Sequence, residues 1–152
     1  MRDLIGSDPQ AWPSLPLEAW SGTYATLHRW LQIVGKIRLA QSSWVNHGWH
    51  ATLYVSVTGL TTSPIPYGHR IFQIDFDFVK HRLVIHSSDG GTGGFALEPQ
   101  SVAAFYRHLM QERARLDLPV RIYPKPNEVA DAVRFDLDEA HCAYDAEYAH
   151  RF

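Results

Sequence analysis

IFQIDFDFVKHRLVIHSS, residues 71–88, decides how the rest of the chain is read. Phe72, Ile74, Phe76 and Phe78 alternate with Gln73, Asp75 and Asp77, and the alternation resumes from Arg82 to Ser88. A period of two is the mark of a strand with one face in the core and one in water. Putting Lys80 and His81 in the turn sets Phe78 opposite Leu83, Phe76 opposite Ile85 and Asp75 opposite His86, so the apolar faces of the two strands agree. Lys-His is not a favoured two-residue turn, yet the shared parity predicts an antiparallel hairpin over strands 71–79 and 82–88.

Working outward, Trp49, Ala51, Leu53, Val55 and Val57 alternate with His50, Thr52, Tyr54 and Ser56, which predicts a further strand over 50–57. Downstream, DGGTGG (89–94) reads as a turn, and residues 95–97 as a short fourth strand completing a meander. Val120 to Tyr123 reads as a fifth, stopped by Pro124 and Pro126. Before the sheet, Trp20, Tyr24, Leu27, Leu31 and Val34 follow helical spacing over 17–39, widened by Trp30, Ile33 and Ile37. Gly22 and Gly35 each cost this helix about 1 kcal/mol relative to Ala, so a break or a close packing contact is expected near one of them. A second amphipathic helix over 101–116 carries Val102, Phe105, Leu109 and Leu116 on one side and Arg107, Gln111 and Arg115 on the other. The fold class is α+β, a mostly antiparallel sheet of four to five strands with two helices packed on one face. Residues 1–152 form one domain, with an arm at 1–16 that Trp12 and Leu15 pin to the body, and a tail at 127–152 in which Asp145 caps a helix through Tyr148.

Composition agrees with one soluble core and narrows the partners. The chain has 152 residues, 45% hydrophobic, and a net charge of -2, enough length to close a core without disulfides or metal. Its 14 basic and 16 acidic residues form no basic stripe, which argues against nucleic acid. No apolar run approaches the 18 or so residues of a membrane span. The single Cys142 and a start without a secretory pattern point to the cytoplasm.

Candidate chemistry collects on the polar face of the sheet, where the catalytic candidates are His50, Tyr54, Asp75 and His86. A carboxylate beside an imidazole fixes its tautomer and raises its basicity. The plain alternative is a solvated sheet face, polar outside as any one-sided antiparallel sheet is. Ligand-binding candidates are His28 and Lys36, eight residues apart and so at a similar helical azimuth, Asn46 and His47 in the loop entering the sheet, and Thr61, Thr62 and Ser63 within GLTTSPIPYG (59–68). Those three hydroxyls either line a pocket or satisfy their own backbone in a stiff connector. His47 and His50 fall on opposite sides of a strand and lack a third and fourth ligand, so no metal is assigned, and the cofactor is left unknown. DGGTGG lacks the Lys-Ser/Thr of a P-loop, no GxSxG elbow occurs, and Cys142 beside His141 carries no catalytic signature.

WPSLPLEAW (12–20), TLHRWLQIVGKIRLA (26–40), NHGWHATLYV (46–55), GLTTSPIPYG (59–68) and IDFDFVKHRLVI (74–85) together resemble a bacterial family of unknown function, DUF5996. Gly48 stands where the family pattern has an aromatic residue. The resemblance implies longer relatives, so that this chain is expected to be either an N-terminal half or a natural short member, and it brings no activity, substrate or cofactor. Two functional expectations result. One is a small-molecule-binding or enzymatic domain using the polar sheet face. The other is a non-catalytic interaction module, a homodimer or half of a longer protein, with Trp12, Trp20, Trp44 and the tail buried against a partner.

Overall fold

The computed structural model describes residues 12–42 and 52–152. Six strands, β1 (Tyr54–Val55), β2 (Gly59–Thr61), β3 (Ile65–Tyr67), β4 (Arg70–Asp77), β5 (Arg82–Ser87) and β6 (Thr92–Ala96), form one antiparallel sheet. Their order is β1-β2-β4-β5-β6, with β3 also paired to β4. The sequence reading missed two of them: 59–68, read as a loop, supplies both β2 and β3 along β4. Thr62, buried between them, explains the continuity. Its N–H donates to the Ile74 carbonyl (3.0 Å) and its hydroxyl accepts from the Ile74 N–H (3.0 Å), so a side chain stands in for a ladder carbonyl where the strand is interrupted.

The central hairpin keeps the expected faces but not the expected register. Phe76 pairs with Leu83, Ile74 with Ile85, Gln73 with His86 and Asp75 with Val84, a slip of two residues that preserves parity. A two-residue Lys-His turn needs positive φ at poorly suited positions. The chain instead loops through Phe78–His81, with a single positive φ at His81 (50°) and the Asp77 carboxylate accepting from the N–H groups of Val79 (3.0 Å) and Lys80 (2.8 Å).

Helix α1 (Leu17–Gln41) runs unbroken, and α2 (Val102–Arg115) starts where the Ser101 hydroxyl accepts from the Ala104 N–H at 3.0 Å. Both helices cover the apolar face of the sheet. Trp30 of α1 stacks on Phe105 of α2 at 4.7 Å, and Phe105 in turn stacks on Phe76 at 6.1 Å and meets the edge of Phe95 at 5.3 Å. Gly22 does not break α1; it admits the chain at Ala143, whose Cβ would lie 3.2 Å from a Cβ added there. Gly59 and Gly94 are demanded by close approach, since an added Cβ would meet the Phe76 or Leu83 carbonyl oxygen at 2.1 Å.

Four expectations at the margins are corrected. Among the described residues the strand read over 50–57 is only Tyr54–Val55, and Val55 and Val57 are 87% and 101% exposed at the outer end of the sheet. Residues 120–123 form no strand: prolines at 119 and 124 bracket them, and Pro119 is held through its carbonyl by the Tyr67 hydroxyl at 3.0 Å. Trp12 is exposed, Leu15 is half-buried, and the Ser14 carbonyl accepts from Arg151 at 3.1 Å, while residues 1–11 of the arm lie outside the described residues. The tail then forms a 3-10 turn (Phe135–Leu137) and helix α3 (Ala146–Arg151), capped by Asp145, which accepts from Glu147 (3.0 Å) and Tyr148 (3.1 Å). Trp20, expected at an interface, is buried under Tyr24 and Phe152 of its own chain. Trp44 lies outside the described residues.

Candidate functional site

The polar sheet face carries less than its residue list suggests. Residues directly paired share a face, so Tyr54, Thr61, Asp75 and Val84 form one row. Asp75 therefore lies across from an apolar side chain and only diagonally from His86, a consequence of the corrected register. Its carboxylate accepts both hydrogen bonds from the Gln73 amide, at 2.9 and 3.0 Å. His86 is exposed. Tyr54 is drawn toward the end of α1, with the Arg38 guanidinium 4.9 Å from its ring centre and Nη2 3.5 Å from its hydroxyl. In the connector, Thr61 accepts from the Ser63 N–H (3.0 Å) and Thr62 donates to the Ser63 carbonyl (2.7 Å), with Ser63 at a positive φ of 56°. These hydroxyls serve the backbone around them. His50, Asn46 and His47 lie outside the described residues.

The remaining two candidates come together. Four-residue spacing stacks His28, Gln32 and Lys36 in one row along α1, and this row forms one wall of a groove of about 450 Å³. Leu31 and Leu39 of α1, Leu53 before β1, and Leu60 of β2 give it an apolar floor, and Asn127 and Glu128 close the far side. Such a volume falls within the roughly 300–1,000 Å³ of ligand clefts, and an apolar lining with a few convergent polar groups is their usual composition.

Hydrogen bonding fixes the polar wall. The Asn127 N–H donates to Gln32 Oε1 (2.8 Å) and Gln32 Nε2 donates to the Asn127 carbonyl (3.0 Å), so the backbone decides which way the amide points. The second amide proton then meets His28 Nε2 at 3.0 Å. Nε2 must accept, which assigns the ring proton to Nδ1. Lys36 Nζ donates to Asn127 Oδ1 (3.3 Å) and sits 5.7 Å from the centre of the Tyr123 ring. Burial draws the Lys36 ammonium below its ordinary pKa. Among the described residues no carboxylate lies within ion-pair distance of it. Sequence reasoning found the two ends of this row but missed Gln32, midway between them. Asn127 and Glu128 come from the tail and carry no local signal.

A second polar cluster also escaped the sequence reading. Asp138 is buried, 3.3 Å from Arg29 Nε and 2.8 Å from His141 Nδ1, and accepts from the N–H groups of Ala140 and His141 at 3.2 Å. The backbone carbonyls of Asp138 and His141 take the N–H groups of Ala103 (3.0 Å) and Val102 (3.1 Å) at the start of α2. The cluster is a clamp tying the tail to both helices, and its signal was the three-residue spacing in DEAH (138–141). Arg113 plays a like part in the core: it lies 5.5 Å from the Phe72 ring centre and donates to the Leu118 carbonyl, and burial pulls its guanidinium down to about 10. Tyr144, whose hydroxyl is raised by burial, lies 2.9 Å from His81 Nδ1. Among the described residues no three His, Cys, Asp or Glu side chains converge as metal ligands, and no helix is long and apolar enough to cross a membrane.

Compared with known proteins, the chain matches the model of a family of unknown function (DUF5996) over residues 12–152. No curated protein and no solved structure matches it.

Proposed function

The chain belongs to the DUF5996 family, whose name carries no activity, and we propose from its geometry that it is a small-molecule-binding domain. Its ligand lies in the groove between α1 and the β1–β2 edge rather than on the polar sheet face. The observation that carries this reading is concavity joined to chemistry: four leucines and a row of three polar side chains converge on one cleft, whereas the polar face offers an Asp75 already engaged by Gln73. The groove recognises an apolar body laid along its leucine floor, for which a six-carbon alcohol serves as a small probe. A cytoplasmic, bacterial setting belongs to the same reading.

Titrating the full chain with 1-hexanol, followed by ¹H–¹⁵N correlation spectra, tests it. Shifts are expected at Leu31, Gly35, Leu53 and Leu60. Gly35→Leu fills the cleft and improves helix propensity by about 1 kcal/mol, so it should keep the fold and abolish those shifts. A wild-type spectrum that hexanol leaves unmoved refutes the groove.

A second reading, self-association into a homodimer, rests on a different observation. Val55 and Val57 are exposed on the hairpin at the end of the sheet, and an exposed apolar edge strand pairs readily with its own copy. Light scattering over a dilution series tests it, with Val57→Lys expected to return any dimer to monomer; a monomer at every concentration contradicts it.

A further inference from the structure

Resting on the groove reading, we infer that the natural ligand of the site is a monoanionic amphipath, an alkyl or aryl carboxylate whose head group is taken by Lys36 and whose apolar body lies on Leu31, Leu53 and Leu60. Three features carry this. Lys36 has no ion-pair partner among the described residues and donates only to a neutral amide oxygen, at 3.3 Å. That contact is long and exchangeable, so a carboxylate replaces it with a charge-assisted bond, which is stronger. The partial burial of the amine, which lowers its pKa, means less water must be stripped from it when the anion arrives.

The other polar groups set the charge the site accepts. Gln32 spends both amide protons on Asn127 and His28 and carries no charge, so the permanent head-group charge of the row is that of Lys36. Glu128 lines the same groove and repels further negative charge. One cation facing one carboxylate suits a single negative charge and disfavours a dianionic phosphate ester. It also leaves Asn127 as the residue that must yield when the head group docks.

The test compares hexanoate, 1-hexanol, hexylamine and hexyl phosphate on the full chain at pH 7, by the same spectral titration. Hexanoate is expected to bind roughly tenfold more tightly than hexanol, the effect of one charge-assisted hydrogen bond, with hexyl phosphate weaker than hexanoate. In Lys36→Met, which keeps the stem of the side chain, the hexanoate-to-hexanol ratio should fall to about one. Lys36→Arg, which keeps the charge, should retain most of the preference. Hexanol binding with no preference for hexanoate, or tighter binding of hexylamine, overturns the anion inference while the groove stands. Failure of all four probes overturns both.

Discussion

The polar face of the sheet and the groove along α1 hold similar side chains, and they differ in shape and in what those side chains already touch. On the sheet, the Asp75 carboxylate takes both of its side-chain contacts from the Gln73 amide, and the hollow beside Gln73 and His86 measures only about 220 Å³. Along α1, a row of three polar side chains lies against four leucines, and Lys36 meets no carboxylate among the described residues. Polar residues are plentiful on any sheet exposed on one side. A ligand site needs concavity and an unmet interaction, and the groove joins a cavity of about 450 Å³ to a lysine with no ion-pair partner among the described residues.

The comparison breaks most visibly in stability. Phe76→Ala, which empties a fully buried aromatic position, should cost about 3–5 kcal/mol, whereas Asp75→Ala should stay within roughly 1 kcal/mol, since it removes one neutral-amide contact. Denaturant midpoints of the two variants would show it, and a large loss from Asp75→Ala would make the polar face a structural network. Asp138→Ala should also cost about 3–5 kcal/mol, because it strands the buried Arg29 guanidinium without its counter-charge. Chemical unfolding measures that loss, and amide exchange at Val102 and Ala103 should rise with it.

Gln32→Ala is a smaller and sharper probe. It removes the two hydrogen bonds to the Asn127 backbone and the contact to His28 and should cost about 1 kcal/mol, with faster amide exchange at Asn127 as its signature. The smallest effect lies at the start of β4. Arg70, 2.8 Å from Asp89, holds that carboxyl well down, from 3.8 to about 2. A depressed folded-state pKa stabilises above the ordinary value, and the contribution is lost as pH falls from about 3.8 toward 2. Titration of the Asp89 carboxyl carbon by NMR should give the low value, and Arg70→Met should bring it back up.

How much of this was legible in the sequence follows from the range of the forces involved. Parity and helical period are local, so the faces of β4, β5, α1 and α2 could be read directly from Phe72, Phe76, Ile85 and Phe105. Register is less local: the Asp77 side chain closes the turn by bonding two backbone N–H groups, and nothing in the alternation encodes that. The two strands within GLTTSPIPYG were hidden because Thr62 completes the ladder through its side chain, which strand patterns do not register. His28 and Lys36 were legible as a pair because helical geometry repeats. Their partner Asn127 lies ninety-one residues beyond Lys36, and tertiary folding alone brings it there.

The most direct test is a crystal structure of the full chain grown with hexanoate. The account predicts the alkyl chain along Leu31, Leu53 and Leu60, with the carboxylate within hydrogen-bond distance of Lys36 Nζ and the Asn127 side chain displaced. Hexanoate bound instead across Gln73 and His86, with the groove empty, would contradict it.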